Sequence, residues 1–430
     1  MLRISCTLIV TMLVVGVCGA QWLSGDKIRL EVGDHTLFHS PVTLVYKDPV
    51  PEGTIFVVGA DSEKSFRATI RGGEFVFVPD IVAAGSTHTY LVKRIAPARA
   101  PLVDIKKQEG RDVLEVRIED KLLTAYYYSN DQKKPYLWPL NAEGGVTVTR
   151  DWPMGEKMTT QDHPHQKSFW TAYGNVNGAD CWTEGENSGY QHSDDVTFGS
   201  GDAYGWIYAK NTWQDKEHKS VLSEEREYRF YTTGSADPNG WIEAKKTVQK
   251  QEQNPTVTQF ADFRARGRLI DVTVKLTAAY GDALFKDTKE GGLVGFRIRD
   301  DITEKAGQGI ITNAGGGKGM AACWGKPSEW CDYSGAIEGT GMRGVAVFDH
   351  PDNFRHPTCW HVRDYGLMGA NCFGLAAFTN GAQNGDHTLK SGESLTFRYR
   401  IYVHSGNAED AKVADRYADY AKPPRAEWAK

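Results

Sequence analysis

The sequence predicts a mainly β protein: a large β-sandwich preceded by a small β module and followed by one helix. Three observations predict it. Apolar residues alternate with polar ones over several stretches, the period of strands with one buried face. Turn residues such as Gly72-Gly73 separate these stretches. A stripe at helical spacing, Val413, Tyr417 and Tyr420, lies close to the C-terminus.

Residues 1–20 read as a signal peptide. Arg3 precedes an apolar run from Leu8 to Val17, and Cys18-Gly19-Ala20 place small residues before Gln21. A lipoprotein signal through Cys18 is the alternative, with Val17 where such signals want a small residue. The run is short against the ~20 apolar residues of a spanning helix, and no later segment approaches it, so no membrane span is expected after cleavage. The expected location is periplasmic or extracellular.

Residues 22–97 form the small module. Ile28, Leu30 and Val32 alternate, as do Phe66, Ala68 and Ile70, and Phe75 and Phe77 follow the glycine turn. Ala96-Pro97-Ala98-Arg99-Ala100-Pro101 reads as a linker. The large domain is expected over 101–405, with period-two strands such as Ile270 to Leu276 and Leu395 to Val403. On the latter, Arg398, Arg400 and His404 point the other way, as a solvated face or the wall of a polar cleft, the solvated face being preferred. A helix over 407–421 is capped by Asn407, stopped by Pro423-Pro424 and expected on a sheet edge.

The net charge of −5, without long basic runs, excludes an extended polyanion-binding face, so nucleic acid is not an expected partner. Five cysteines remain after cleavage: Cys181, Cys323, Cys331, Cys359 and Cys372. Cys323 and Cys331 are the favoured disulfide pair; the alternative is five small buried residues.

Two clusters carry the chemistry. In Asp162-His163-Pro164-His165, extended backbone would turn both imidazoles to one side. They can transfer protons near neutral pH, ligate a metal, or be satisfied by hydrogen bonds. Glu184, Glu186 and His192 follow within thirty residues, but in no stereotyped zinc spacing, so no metal and no cofactor is expected. The second cluster runs from Asp349 to Gly366, where prolines break regular structure. His350, Asn353, Arg355, Trp360, His361, Arg363 and Tyr365 lie there, too dense in function-bearing types for an ordinary turn. His361 and Arg363 share a strand face. Arg363 can hold a carboxylate or vicinal hydroxyls, or sit in a structural ion pair, while Trp360 and Tyr365 offer flat surfaces for sugar rings. Asp332 and Tyr333 lie in a further polar and aromatic stretch. Gly315-Gly316-Gly317 reads as a turn, and no serine elbow, P-loop, HExxH or paired CxxC declares a catalytic class.

The chain resembles the exported bacterial proteins commonly labelled "methane oxygenase PmoA", elsewhere treated as a domain of unknown function. The matching strings include Pro135 to Leu140, Thr149 to Met154, Asp162-His163-Pro164-His165, Gly174 to Gly178, Trp330 to Gly335, Asp349-His350-Pro351 and Trp360 to Leu367. After His165 the family usually shows histidine and arginine; this chain has Gln166 and Lys167. The oxygenase label does not fit, because methane monooxygenase subunits are integral membrane proteins and this sequence has no internal hydrophobic span. The resemblance implies a β-supersandwich like that of galactose mutarotase.

Together these features give the expected site: a cleft with His163, His165, His361, Glu184 and Glu224 as catalytic candidates. Arg363, Trp360, Tyr365, Lys167, Asn353, Arg355, His350, Asp332 and Tyr333 would bind substrate. The expected function is a hydrolase or lyase acting on glycosides; a non-catalytic glycan-binding protein and a metal-dependent enzyme are the alternatives.

Overall fold

The computed structural model describes residues 26–46, 54–59, 65–94, 100–156, 160–232 and 267–429. The expected signal peptide lies outside them. Three large antiparallel sheets build the protein. A front sheet runs, edge to edge, Trp360–Val362, Leu367–Ala370, Gly291–Arg297, Phe169–Tyr173, Tyr136–Leu137, Lys121–Tyr127, Val113–Ile118 and Val103–Lys107. A back sheet runs Tyr190–Gly199, Tyr204–Gln214, Ser220–Tyr231, Gly267–Thr277, Ser394–Ser405, Gly341–Asp349, Trp330–Ile337 and Gly309–Asn313.

Strand alternation joins these two sheets. Phe169, Tyr173 and Phe296 of the front sheet meet Tyr228, Ile270, Val272, Phe397 and Ile401 of the back sheet in one continuous core. The period-two runs read from the sequence are its inward faces. At roughly 1.5–3 kcal/mol for each fully buried large apolar side chain, this layer is the main source of stability.

The third sheet has seven strands: Val42–Val45, Glu74–Phe77, Ser65–Arg71, Thr54–Gly59, Thr87–Arg94, Lys27–Glu31 and Arg425–Ala429. The Gly72-Gly73 hairpin forms as expected, with φ of 57° and 80°, values that favour glycine in a tight two-residue turn. The last strand was not expected: after Pro423-Pro424 the chain returns to pair with the first strand, Ile28 opposite Trp428.

The sheet of the N-terminal module and the C-terminal helix cover the outside of the back sheet. Val76 and Val78 pack with Tyr204, Tyr231, Phe348, Tyr402 and the helix residue Val413. Thr69 Oγ1 accepts hydrogen bonds from the main-chain N–H groups of Asp202 and Ala203, and Arg67 pairs with Asp202 at 2.7 Å.

Three expectations need correction here. The helix spans Val413–Ala421, not 407–421. Asn407 Oδ1 accepts from the N–H groups of Glu409 and Asp410 but caps only a turn, and Lys412 at φ 55° separates that turn from the helix. The helix also lies on the sheet's face, with Tyr417 and Tyr420 against Phe348, rather than on its edge. The second correction concerns the last long strand. Arg398 is exposed, but Arg400 is buried and grips Asp271 with two hydrogen bonds, and buried His404 meets Asp332 at 2.6 Å. Where the module covers this face, the charges of Arg400 and His404 are paired, and Arg398 alone is solvated as expected. Third, Cys323 and Cys331 are not bridged; all five cysteines are free and buried. No helix among the described residues is long and apolar enough to cross a membrane.

Candidate active site

With the back sheet's outer face covered, the outer face of the front sheet is where the chain gathers chemistry. Residues that alternate with the core point here: Trp170 between Phe169 and Thr171, Arg297 after Phe296, and His361 between the core residues Trp360 and Val362. One row of cross-strand neighbours reads His361, Gly369, Gly295, Trp170, Tyr136, Tyr127. Gly295 is a consequence of the aromatics, since a methyl group on it would stand 3.0 Å from the Trp170 ring, while one on Gly369 would press on the Gly291 carbonyl at 3.3 Å. At ~4.8 Å per strand, His361 and Trp170 are about 14 Å apart across this floor.

The histidine segment arches over the floor. It is a turn, not the extended strand expected: His163 has φ 46° and its carbonyl accepts from the N–H of Gln166. The two imidazoles nevertheless lie 5.8 Å apart, edge to face. His163 stacks on Tyr365 at 5.1 Å, and His165 leans on Trp182 at 6.3 Å. Trp182 in turn meets Trp170 at 5.5 Å.

Two buried arginines pin this turn. Arg150 reaches the carbonyls of Asp162, His163 and Gln166 and the Asp162 carboxylate at 2.6 Å, and Arg297 reaches the same carboxylate at 2.7 Å. Burial works to raise the Asp162 pKa, but Arg297 and Arg150 outweigh it and hold the carboxyl below its ordinary range. A second carboxylate is held the same way. Glu184 lies 2.9 Å from Lys134 Nζ and 2.7 Å from Lys167 Nζ, and although burial opposes them, the two ammonium groups keep it ionised.

The imidazoles are biased toward the neutral form. Desolvation, then Lys134 and His163, brings His165 down to about 4. Desolvation, then Arg363 and Lys289, brings His361 down to about 3. His361 is 2% exposed, and no well-aligned hydrogen bond reaches its ring nitrogens, although the Lys289 main chain lies alongside. The indole N–H groups of Trp138, Trp170, Trp182 and Trp324 are likewise buried and unpartnered. Buried polar atoms are ordinarily paired, so five such residues along one face mark a place where partners can come from water or a ligand.

The structure therefore brings together His163, His165, Glu184, Lys167 and Tyr365, with His361 and Arg363 at the other end of the same face. It sends the remaining candidates elsewhere. Glu224 lies between the sheets, fully buried against Arg226 at 2.6 Å and Trp213 Nε1 at 2.8 Å. Trp360 faces the core and donates to the Ser328 carbonyl, so it offers no platform to a sugar. Asp332 is on the outside of the back sheet with His404. Tyr333 points its hydroxyl under the Arg363-Asp364 main chain, accepting from the Glu304 N–H and donating to the Asp364 carbonyl at 2.8 Å, and so sets the position of Arg363 without facing the floor. His350 packs on Tyr420, Asn353 ties Asp349 to the Arg398 main chain, and Arg355 donates to the carbonyls of Cys372 and Gly385. These last three shape a loop.

The site also contains residues that sequence reasoning missed: Arg150, Arg297 and Lys134. Arg297 ends an otherwise apolar strand at the outward parity, the one signal that could have found it. Among the described residues, no group of three or more His, Cys, Asp or Glu side chains is placed to hold a metal ion.

These features define a β protein of three large sheets with an aromatic, imidazole-bearing face. Residues 113–418 match a family of unknown function, DUF6807, and the chain belongs to that family. No curated protein matches it. Among solved structures it is similar to galactose 1-epimerase from Lactobacillus acidophilus NCFM, at 6% identity and a TM-score of 0.31, over 71% of this chain and 100% of that one. So distant a likeness does not bear on activity, and nothing in the family match bears on the oxygenase label.

Proposed function

We propose that this protein is an exported carbohydrate-active enzyme that cleaves glycosides on the outer face of the front sheet, by elimination in preference to hydrolysis. The observation that carries the reading is the set of buried, unpartnered polar atoms beside flat aromatic rings: His361 and four indole N–H groups. Aromatic faces take the apolar side of a sugar, and the unpaired donors and acceptors take its hydroxyls.

Elimination is preferred for an electrostatic reason. Hydrolysis by two carboxyl groups needs one of them protonated as the acid, with its pKa raised. Asp162 and Glu184 are each pinned by two cations and held down. The imidazoles of His165 and His361 are unprotonated near neutrality and so are free to accept a proton.

The test is a panel of glycosides and polysaccharides incubated with the protein, read both for new reducing ends and for unsaturated products. Turnover abolished in His361→Ala and His165→Ala supports the reading. Tight binding of a glycan without turnover would replace it with the glycan-binding alternative, and neither binding nor turnover would end it.

A further inference from the structure

We propose that the sugar recognised on this face is a uronic acid, and that Arg363 holds its carboxylate. This rests on the carbohydrate reading above and narrows it to one substrate class.

The cations on this face are unequally matched. Arg150 and Arg297 share Asp162, Lys134 and Lys167 share Glu184, and Lys289 pairs with Glu290. Arg363 has no such partner among the described residues. Its guanidinium lies over the Trp324 ring, 5.3 Å from the centroid, and makes no ion pair. The residue is half-buried. Guanidinium remains charged in proteins and offers five donors, so a partly desolvated one without an acid is poised for an anion.

Its surroundings fit a small planar anion on a sugar. Trp324 Nε1, buried and unpartnered, supplies another donor, and the His361 ring, which meets Phe378 as Trp324 does, touches the Lys289 main chain on one side and keeps a nitrogen for a ligand. Phe378 closes the side, 5.5 Å from Trp324 and 6.2 Å from His361 by ring centroids. A single planar fork matches a carboxylate through two parallel hydrogen bonds.

The same placement explains the chemistry. A carboxylate neutralised by Arg363 makes the neighbouring C5–H of a hexuronate more acidic. His361, uncharged, takes that proton; the C5–H electron pair becomes the C4=C5 double bond; the C4–O bond breaks; and the leaving oxygen takes the proton back from the imidazolium. Atoms and charge balance without an oxidant or a second reactant.

Calorimetric titration of the whole protein with methyl glucuronide, methyl galacturonide, their carboxyl methyl esters, methyl glucoside and methyl galactoside tests this. We expect at least one acid to bind about tenfold or more tightly than its ester, the scale of a charged hydrogen-bonding pair. Arg363→Ala should erase that preference by lowering acid binding to the level of the ester, with thermal unfolding little changed, and Arg363→Lys should keep part of it. Equal binding of acid and ester, or a preference that survives in Arg363→Ala, overturns the inference; if neutral glycosides bind in that case, the broader carbohydrate reading stands. No binding of any of the six overturns both.

Discussion

His163 lies parallel to Tyr365, the ring centroids 5.1 Å apart and the planes 9° from parallel. This contact joins the two polar segments that the sequence keeps far apart. The Arg297 guanidinium also lies over Tyr365, 4.7 Å from the ring centroid, so the tyrosine touches both an imidazole and a cation.

Replacing Tyr365 by alanine should therefore loosen the histidine turn without unfolding the protein. Aromatic pairs contribute about 0.5–1.5 kcal/mol beyond burial, so a stability loss of roughly 1–3 kcal/mol is expected, together with a large fall in turnover or glycan affinity. Tyr365→Phe should keep most of both. Urea unfolding and binding measured on the same samples check this, and activity intact in Tyr365→Ala would remove the stack from the mechanism.

The pairing of Glu184 with Lys134 and Lys167 gives a second expectation. Lys134→Met removes one of the two charges opposing desolvation, so the Glu184 carboxyl should titrate higher in the variant than in the native protein. Sign and range follow from the native state: a lowered carboxyl pKa stabilises above the unfolded value, and that stability is lost as pH falls through the folded one. Lys134→Met should show a smaller dependence of stability on acid in this range. Carboxyl titration by carbon-detected NMR reads the shift directly; an unchanged Glu184 would mean that Lys167 alone suffices.

How much of this was legible in the sequence depends on which physical signal each feature leaves. Alternation fixed the strands that build the core, from Ile270 to Leu276 and from Leu395 to Val403, because a half-buried strand writes its parity into the residue types. The same parity placed His361 and Arg363 on one face. It could not tell which face met the core, and Trp360, read as a sugar platform, turned inward. Charges mislead for another reason. Glu224, Arg400 and His404 look like solvated or catalytic groups, yet each is buried with a partner from a strand or sheet neighbour that no local pattern announces. The return of the C-terminus to the first sheet left no signal either, since Arg425-Ala426-Glu427-Trp428-Ala429 is short and follows two prolines.

Glu224 should prove structural. It accepts from Arg226 Nε and from Trp213 Nε1 in the closed space between the sheets. Glu224→Ala leaves the Arg226 charge buried without its acid, a change of about 3 to 5 kcal/mol in stability. Ligand affinity of the fraction still folded at low temperature should be unchanged. A large loss of affinity with stability intact would restore Glu224 to the site.

Stability should also rise with pH between about 4 and 6.5. His165 falls to about 4 and His361 to about 3 in the native state, against 6.5 unfolded. Below 6.5 the unfolded chain therefore binds more protons than the native one, and stability declines as acid is added until the folded values are reached. The carboxylates held below their ordinary range add to the decline at lower pH. His361→Asn, which does not titrate, should flatten the upper part of this dependence in denaturant unfolding followed from pH 4 to 8. A slope unaltered by the substitution would show that His361 titrates in the native state as it does in the unfolded chain.

The C-terminal strand ties the helix end back to the first sheet. Arg425–Ala429 pairs along the whole of Lys27–Glu31, and its Trp428 packs edge-on against Tyr46 at 5.1 Å and Phe75 at 5.2 Å, with its indole N–H donating to the Val45 carbonyl. The helix before it is fastened to the same module: Asp419 accepts from the Phe38 N–H and from Ser40 Oγ, and Arg416 donates to the Phe38 carbonyl. Removing residues 424–430 should therefore weaken the N-terminal sheet first. Hydrogen exchange should accelerate over Lys27–Glu31 and Glu74–Phe77 and stay slow in Gly267–Thr277, whose bonds lie inside the back sheet. Trp428→Ala should reproduce a milder form, about 1–3 kcal/mol in unfolding of the module. Uniform acceleration across the back sheet as well would show that the three sheets unfold as one unit, and unchanged exchange at Lys27–Glu31 would show that the last strand contributes nothing to the first.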